Sequence, residues 1–205
     1  MKQKAIGKKI KAVIFDYGGV LVNDTDKAIM GDMARSCGLG TGSTAKAISQ
    51  ILGKYQTGKI SSQGFWKIFE KKTRAKLPKN HEGLWLREYR LKSRQKKAVI
   101  KIIRKLKEKG YKIALLSNTI PPHAAYNRQR NNFSLFESAV ILSNEAGLRK
   151  PDKRIYRLAL KKLCLKPEEC IYIDDKEKYL FPARKIGMKT ILFKNARRLQ
   201  KELSG

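Results

Sequence analysis

In this 205-residue chain, polar groups stand where apolar runs stop. Asp16 follows Val13-Ile14-Phe15, Ser117 and Asn118 end "IALLSN", and Asp174 and Asp175 end "IYIDD". Lys150 lies in the loop after "AVILSN", just before a predicted helix start. Short, fully apolar runs of this kind read as strands of a parallel sheet covered on both faces. In an open parallel sheet the strand ends open onto one crevice, and ligands bind there. Singly, each residue has an ordinary role as cap, turn or surface charge; jointly they make a site. Three converging carboxylates repel one another unless a cation intervenes, and Mg²⁺ suits them because it takes one or two carboxylates plus waters and a substrate phosphate. Ser117, Asn118 and Lys150 offer donors and positive charge to anionic oxygens, and backbone N–H groups around Gly18 and Gly19 can join them. The chemistry is phosphoryl transfer, with a carboxylate available as nucleophile.

The elements that must position these groups are legible from residue 94 onward. "KKAVIKIIRKLKEKG" carries Val99, Ile102, Ile103 and Leu106 at helical spacing and stops at Gly110. "YKIALLSN" and "SAVILSN" read as strands, and "PDKRIYRLALKKLCL" as a helix with Pro151 in its first turn and Asp152 beside it. "CIYIDD" (strand), "KYLFPARKIG" (short helix), "MKTILF" (strand) and "NARRLQKEL" (helix) complete the pattern. Such alternation predicts an α/β fold with a doubly wound parallel sheet. Residues 23–93 lack strand runs and are broken at "GLGTGSTAKAIS" and "TGKISSQGFW"; Ser61 is a plausible N-cap for a helix bearing Phe65, Ile68 and Phe69. The expected organisation is a core of 1–22 and 94–205 with a small helical cap, 23–93, inserted after the first strand.

The chain is long enough for one good core, is 41% hydrophobic, and has no segment long enough to span a membrane. Its basic start is read as an arm leading into the first strand rather than a signal peptide, so the protein is expected in the cytoplasm. Cys37, Cys164 and Cys170 are odd in number and form no CxxC pair, so neither a disulfide framework nor a zinc site is supported, and Cys164 and Cys170 are expected as small buried hydrophobes. Lys and Arg number 47 against 17 Asp and Glu, a net charge of +30. The basic residues are interspersed with core positions, without an RNP, zinc-finger or recognition-helix pattern. They read mainly as a solvated surface, with weak, salt-dependent nucleic-acid binding as the functional expectation.

"IFDYGGVL", "LLSNT", "GLRKPDKRIY" and "IYIDD…ARKIGM" resemble, in order, motifs I to IV of the haloacid dehalogenase superfamily of hydrolases. The insertion resembles that superfamily's helical cap, and "TGKISSQGFW" is similar to a G-x-I-S-x-x-x-F turn in caps of the branch with a double Asp in motif IV, which includes glucose-1-phosphate phosphatases and the phosphatase domain of soluble epoxide hydrolases. The resemblance implies that Asp16 attacks phosphorus to give an aspartyl-phosphate. It implies further that Asp16, the Gly18 carbonyl and Asp175 hold Mg²⁺ with Asp174 in or near that shell, that Ser117 and Asn118 bind phosphoryl oxygens, and that Lys150 neutralises nucleophile and phosphate. Two positions depart from the pattern: Gly18 replaces the Asp that usually serves as general acid and base, and Tyr179 replaces the usual Asp or Asn four residues after Asp175.

The expected activity is therefore a Mg²⁺-dependent phosphatase acting on a small phosphorylated metabolite, with sugar phosphates the first expectation. The alternatives are a dehalogenase-type hydrolase, or a weakened relative serving as a basic polyanion-binding module. Tyr55, Trp66, His81 and Trp85 of the insert are pocket candidates, though aromatics at helical spacing more often form core. His81 is the first candidate for a substitute acid, against a reading as an exposed loop histidine.

Overall fold

The computed structural model describes residues 9–130 and 132–204; the basic arm expected at the start lies largely outside them. Strand β1 (Ala12–Phe15) is followed by the insert, made of α1 (Asp26–Ser36), α2 (Thr41–Gln56), α3 (Ser62–Thr73) and α4 (Leu84–Lys92). Then come α5 (Lys97–Glu108), β2 (Lys112–Ser117), α6 (Pro121–Gln129), β3 (Ala139–Leu142), α7 (Ser143–Ala146) and α8 (Lys153–Leu163). The chain closes with β4 (Cys170–Asp174), α9 (Glu177–Lys185), β5 (Lys189–Leu192) and α10 (Ala196–Ser204). The strands form one parallel sheet in the order β3-β2-β1-β4-β5.

Alternation along β1 divides the core. Val13 and Phe15 face a layer containing Val99, Ile103 and Leu106 of α5 and Leu199 and Leu203 of α10. Ala12 and Ile14 face Ile155, Tyr156 and Ala159 of α8 and Leu180 and Ala183 of α9. Both faces are buried, so the central strands are apolar between their ends, and this is why they read as continuous runs. The insert has its own core, in which Tyr55, Phe65, Trp66, Phe69 and Trp85 pack ring against ring. Ser61 caps α3 by accepting from the Gly64 N–H at 3.1 Å, as expected. No helix among the described residues is long and apolar enough to cross a membrane.

Several local expectations are corrected. "SAVILSN" leaves the strand after Leu142, where its partner β2 also ends, and Ser143 turns into α7. The Ser143 hydroxyl accepts from the Thr119 N–H (2.9 Å) and donates to the Thr119 carbonyl (3.1 Å), tying the two strand exits together. Pro151 lies before α8 rather than in its first turn, because Asp152 is the N-cap and accepts from the Arg154 N–H at 2.9 Å. Cys170 is buried, but Cys164 is exposed: it ends α8 in the left-handed conformation (φ 54°), where the chain turns outward. Helix α6 had no apolar stripe to announce it; Pro121 and Pro122 at its first positions were its signal.

Candidate active site

Phe15 pairs with Ile173 on one side and Leu115 on the other, so Asp16 emerges level with Asp174 and beside the end of β2. The Asp16 N–H still donates to the Ile173 carbonyl (2.9 Å), fixing the backbone where the strand stops. Asp16, Lys150 and Asp174 are almost fully enclosed, at 6%, 1% and 0% exposure. The Lys150 ammonium donates to Asp16 Oδ1 (2.7 Å), Asp174 Oδ2 (2.7 Å) and Tyr172 Oη (2.9 Å). All three of its N–H donors are thereby used. The Tyr172 hydroxyl in turn donates to Asp174 Oδ2. Burial opposes charge on Lys150, but Asp16 and Asp174 more than offset it and hold the ammonium above its ordinary range. Burial pushes the Asp16 carboxyl up to about 7, with Lys150 opposing and Asp174 adding to the shift.

Asn118 grips the main chain of Lys150 from both sides: its Oδ1 accepts from the Lys150 N–H (2.8 Å) and its Nδ2 donates to the Lys150 carbonyl (3.0 Å). The end of β2 thus sets where the lysine loop lies, and the Asn118 side chain is engaged there. Ser117 is buried and lines the same cleft as Asp16, Gly18, Asn118, Lys150 and Tyr179, a space of about 110 Å³.

The two glycines of "DYGGV" do different things. A Cβ on Gly18 would meet nothing within 4 Å, so the position of the usual acid is open space. A Cβ on Gly19, whose φ is +82°, would lie 2.3 Å from Asp175 Oδ2. Gly19 therefore makes room for the Asp175 carboxylate, while its own N–H is spent on the Val22 carbonyl (2.9 Å) and its carbonyl accepts from Lys96. It does not line the cleft as a donor.

Asp175 Oδ1 is buried and has no hydrogen-bond partner. One oxygen each of Asp16, Asp174 and Asp175 lies within 4.8 Å of the others. Lys150 serves Asp16 and Asp174, and Asp175, although near the charges of Lys176 and Lys96, keeps an orphaned oxygen beside two further carboxylates, a place that an oxygen-liganded divalent cation fits. Asp174 contributes least freely, since Oδ2 is held by Lys150 and Tyr172 and Oδ1 accepts from the Lys176 N–H at 2.8 Å.

From the insert, Asp24 and Asp26 face Lys176 at 3.4 and 3.7 Å across the cleft mouth. Deeper, Tyr17 donates to Asn127 Oδ1 (3.0 Å), and Asn127 donates to Tyr89 Oη (2.6 Å), linking the residue after Asp16 to α4 of the insert. Tyr89 stacks on His123 with ring centres 3.9 Å apart, and His123 Nε2 donates to the Trp85 carbonyl at 2.7 Å. That bond leaves His123 Nδ1 bare in the neutral ring, and burial pushes the ring's pKa down to about 4. A second insert–core contact is at Gly58 (φ +67°), where a Cβ would lie 2.5 Å from the Asn144 carbonyl oxygen. His81, by contrast, packs against Trp66 with Nδ1 on the Pro78 carbonyl and lines no part of the cleft. Tyr55 and Trp66 are insert core, and Trp85 is core that also borders a side cavity.

Sequence reading missed Tyr172, His123, Asn127 and Lys176. Only Tyr172 had a signal: two residues before Asp174 on one strand, it must share that side chain's face.

The haloacid dehalogenase-like hydrolase family matches residues 10–187. The chain is 32% identical over 95 residues to the glyceraldehyde 3-phosphate phosphatase of Pyrococcus furiosus, covering 46% of this chain and 40% of that protein. It is 32% identical over 102 residues to bifunctional epoxide hydrolase 2 of Sus scrofa, covering 48% of this chain and 18% of that one. The match thus spans less than half the length of either relative. In fold, it is similar to a family enzyme of Bacteroides thetaiotaomicron solved with magnesium and inorganic phosphate (TM-score 0.73, 21% identity, 90% and 94% of the two chains).

Proposed function

Since the chain belongs to the haloacid dehalogenase-like hydrolases, we propose that it is a phosphatase that cleaves a small phosphate monoester through Asp16. The carrying observation is the buried Asp16 carboxylate, held at Oδ1 by Lys150 beside the partnerless Asp175 Oδ1. The second oxygen of Asp16 attacks phosphorus; the P–O bond to the alcohol breaks, and an aspartyl-phosphate forms. Water then attacks that phosphorus, returning free Asp16 and inorganic phosphate. Ser117 offers its hydroxyl to the phosphoryl oxygens. Lys150 contributes positive charge rather than a free N–H, and Asn118 keeps that charge in place by holding the Lys150 main chain. Asp16, the Gly18 carbonyl and Asp175 would hold Mg²⁺, with Asp174 behind them tying Lys150 to the set; the ion would offset repulsion between the carboxylates and an incoming phosphate.

With open space at Gly18, the departing alkoxide takes its proton from solvent, which favours esters with good leaving groups. The similarity to a glyceraldehyde 3-phosphate phosphatase supports phosphate monoesters over halides, as does the orphaned oxygen beside Asp16, since a dehalogenase has no need of a cation there. Residues 23–93 act as the cap, closing the cleft through Tyr89 and the Asp24–Lys176–Asp26 contacts. Three unpaired cysteines suit a reducing cytoplasm, and the +30 charge adds weak polyanion association that salt removes.

The test is hydrolysis of an aryl phosphate with Mg²⁺ and with excess chelator. Turnover is expected only with the metal, and Asp16→Asn should lower it by about 10³-fold or more while the protein stays folded. Near-normal turnover by Asp16→Asn, or full activity in chelator, would end this reading.

A further inference from the structure

A second cavity, of about 60 Å³, adjoins the phosphate cleft on the side of the insert. The two spaces share Asp26, Gln56, Asn118, Thr119 and His123, so a molecule seated in one reaches the other. The rest of the side cavity is walled by Ile29 and Met30 of α1, Ile48 and Leu52 of α2, Trp85 of α4, and Ile120 at the start of α6. Among these lining residues, two buried polar atoms have no partner: the amide oxygen Gln56 Oε1 and the indole nitrogen Trp85 Nε1. One can only accept and the other can only donate. His123 Nε2 is spent on the Trp85 carbonyl, which leaves Nδ1 of the neutral ring as an acceptor.

We propose that this cavity receives the alcohol part of the substrate, and that this part is a short, largely apolar chain carrying at most one hydroxyl or carbonyl. The inference rests on the phosphatase reading of the adjoining cleft and goes against the sugar phosphate expected from the sequence. A sugar brings several hydroxyls, but the polar side chains lie on the side shared with the phosphate cleft, and the far wall of Ile29, Met30, Ile48, Leu52, Trp85 and Ile120 offers only the Trp85 indole N–H; each hydroxyl buried there without a partner weakens binding. Saturated carbon suits the remaining wall, and each methylene buried there is worth about fourfold in affinity. Size sets the limit. An apolar cavity of about 150 Å³ accepts the six carbons of benzene, so this smaller space suits a chain of roughly two or three carbons. The orphaned pair of Gln56 and Trp85 would then serve a single hydroxyl, which both donates and accepts. Asp26 stays at the rim, facing Lys176 at 3.7 Å, and adds no charge to the apolar end.

The experiment is a series of n-alkyl phosphates from ethyl to octyl, whose leaving groups differ little in acidity, measured with Mg²⁺ beside glucose 6-phosphate and an aryl phosphate. The expected result is a rise in kcat/KM of about fourfold per carbon that stops once the cavity is full. Leu52→Trp, which fills the cavity from α2, should flatten the rise. Leu52 and Met30 are both only partly buried, so Met30→Trp provides a second blocking variant if the first misfolds. A dependence on chain length that is flat from the start, or glucose 6-phosphate outpacing every alkyl ester, would overturn the assignment while turnover of the aryl phosphate left the phosphatase reading standing. If no ester turns over, that reading fails. Calorimetric binding of the same alkyl phosphates to Asp16→Asn then decides the cavity separately: affinity rising with length supports it, and equal affinities overturn it.

Discussion

The strand ends of the core and the face of the insert line one cleft, yet they are built in opposite ways. On the core side, charge is packed where water cannot reach: Lys150 is 1% exposed between two carboxylates, with every donor used. On the insert side the buried groups are mainly aliphatic and aromatic, the buried Asp32 is paired with Arg87 away from the cleft lining, and the carboxylates of Asp24 and Asp26 stay exposed at the rim. A buried ion cluster tolerates little change, because removing one member leaves another uncompensated. An apolar wall tolerates many substitutions of similar volume. In the proposed reading, the contrast gives the reaction to the core and the choice of substrate to the insert.

That division breaks most readily at the metal. Asp175→Ala should raise the Mg²⁺ concentration needed for half-maximal turnover by about 10²-fold, in line with the loss of a hard-oxygen ligand. Gly19→Ala should act the same way without removing a carboxylate, since its methyl would displace Asp175. Titrating Mg²⁺ against aryl phosphate hydrolysis checks both; an unchanged requirement in either would place the cation elsewhere.

A smaller effect is expected at the neighbouring glycine. Gly18 has ample space and no positive φ, so Gly18→Asp should fold normally. A carboxyl there should speed alkyl phosphates by about 10-fold or more, the low end of general acid catalysis, and aryl phosphates hardly at all. Rates plotted against leaving-group acidity for both proteins provide the measurement. Equal gains for both classes would mean that proton transfer does not limit the parent enzyme.

The insert's attachment should show in stability before it shows in chemistry. Gly58→Ala combines a left-handed backbone with a methyl 2.5 Å from the Asn144 carbonyl oxygen. A cost of about 1–3 kcal/mol is expected, read as a lower midpoint in urea, with KM raised more than kcat is lowered. A loss confined to kcat would mean that the insert takes part in the chemical step.

A separate effect, visible only towards low pH, is acid sensitivity at the seam. His123 titrates at about 4 in the folded protein against about 6.5 ordinarily, because burial disfavours its charge. As pH falls from about 6.5 the unfolded chain binds the proton first. Its contribution to stability is therefore full above that pH and is lost progressively towards about pH 4. His123→Gln should remove this part of the slope in melting temperature between those two values; an identical slope in both proteins would show that His123 is not its source.

Legibility followed the same division. Asp16, Ser117, Asn118, Lys150, Asp174 and Asp175 could be located because each ends an apolar run or follows one, and parallel topology gathers strand ends on one side. Local turns are less legible: "SAVILSN" reads as strand through Ser143 and Pro151 as a first-turn residue, whereas the hydrogen bonds between Ser143 and Thr119 and from the Arg154 N–H to Asp152 decide those boundaries. The roles of Asn118 and Gly19 needed coordinates, because one engages the Lys150 main chain and the other only leaves room for Asp175. The Tyr17–Asn127–Tyr89 chain joins residues 110 and 38 positions apart, and no local pattern ties those positions together.

By itself, then, the sequence determined the sheet, the helical insert and the set of polar groups at the strand ends, because periodicity and strand termination are short-range properties that survive without knowing what packs against what. The tertiary structure decided which of those groups are free. It spent all three donors of Lys150, tied up the Asn118 amide, closed the space at Gly19 while leaving it open at Gly18, and left Asp175 Oδ1, Gln56 Oε1 and Trp85 Nε1 without partners. A side chain's chemistry is fixed by its type, but whether its hydrogen bonds and charge remain available to a ligand depends on neighbours that only folding brings within about 3 Å.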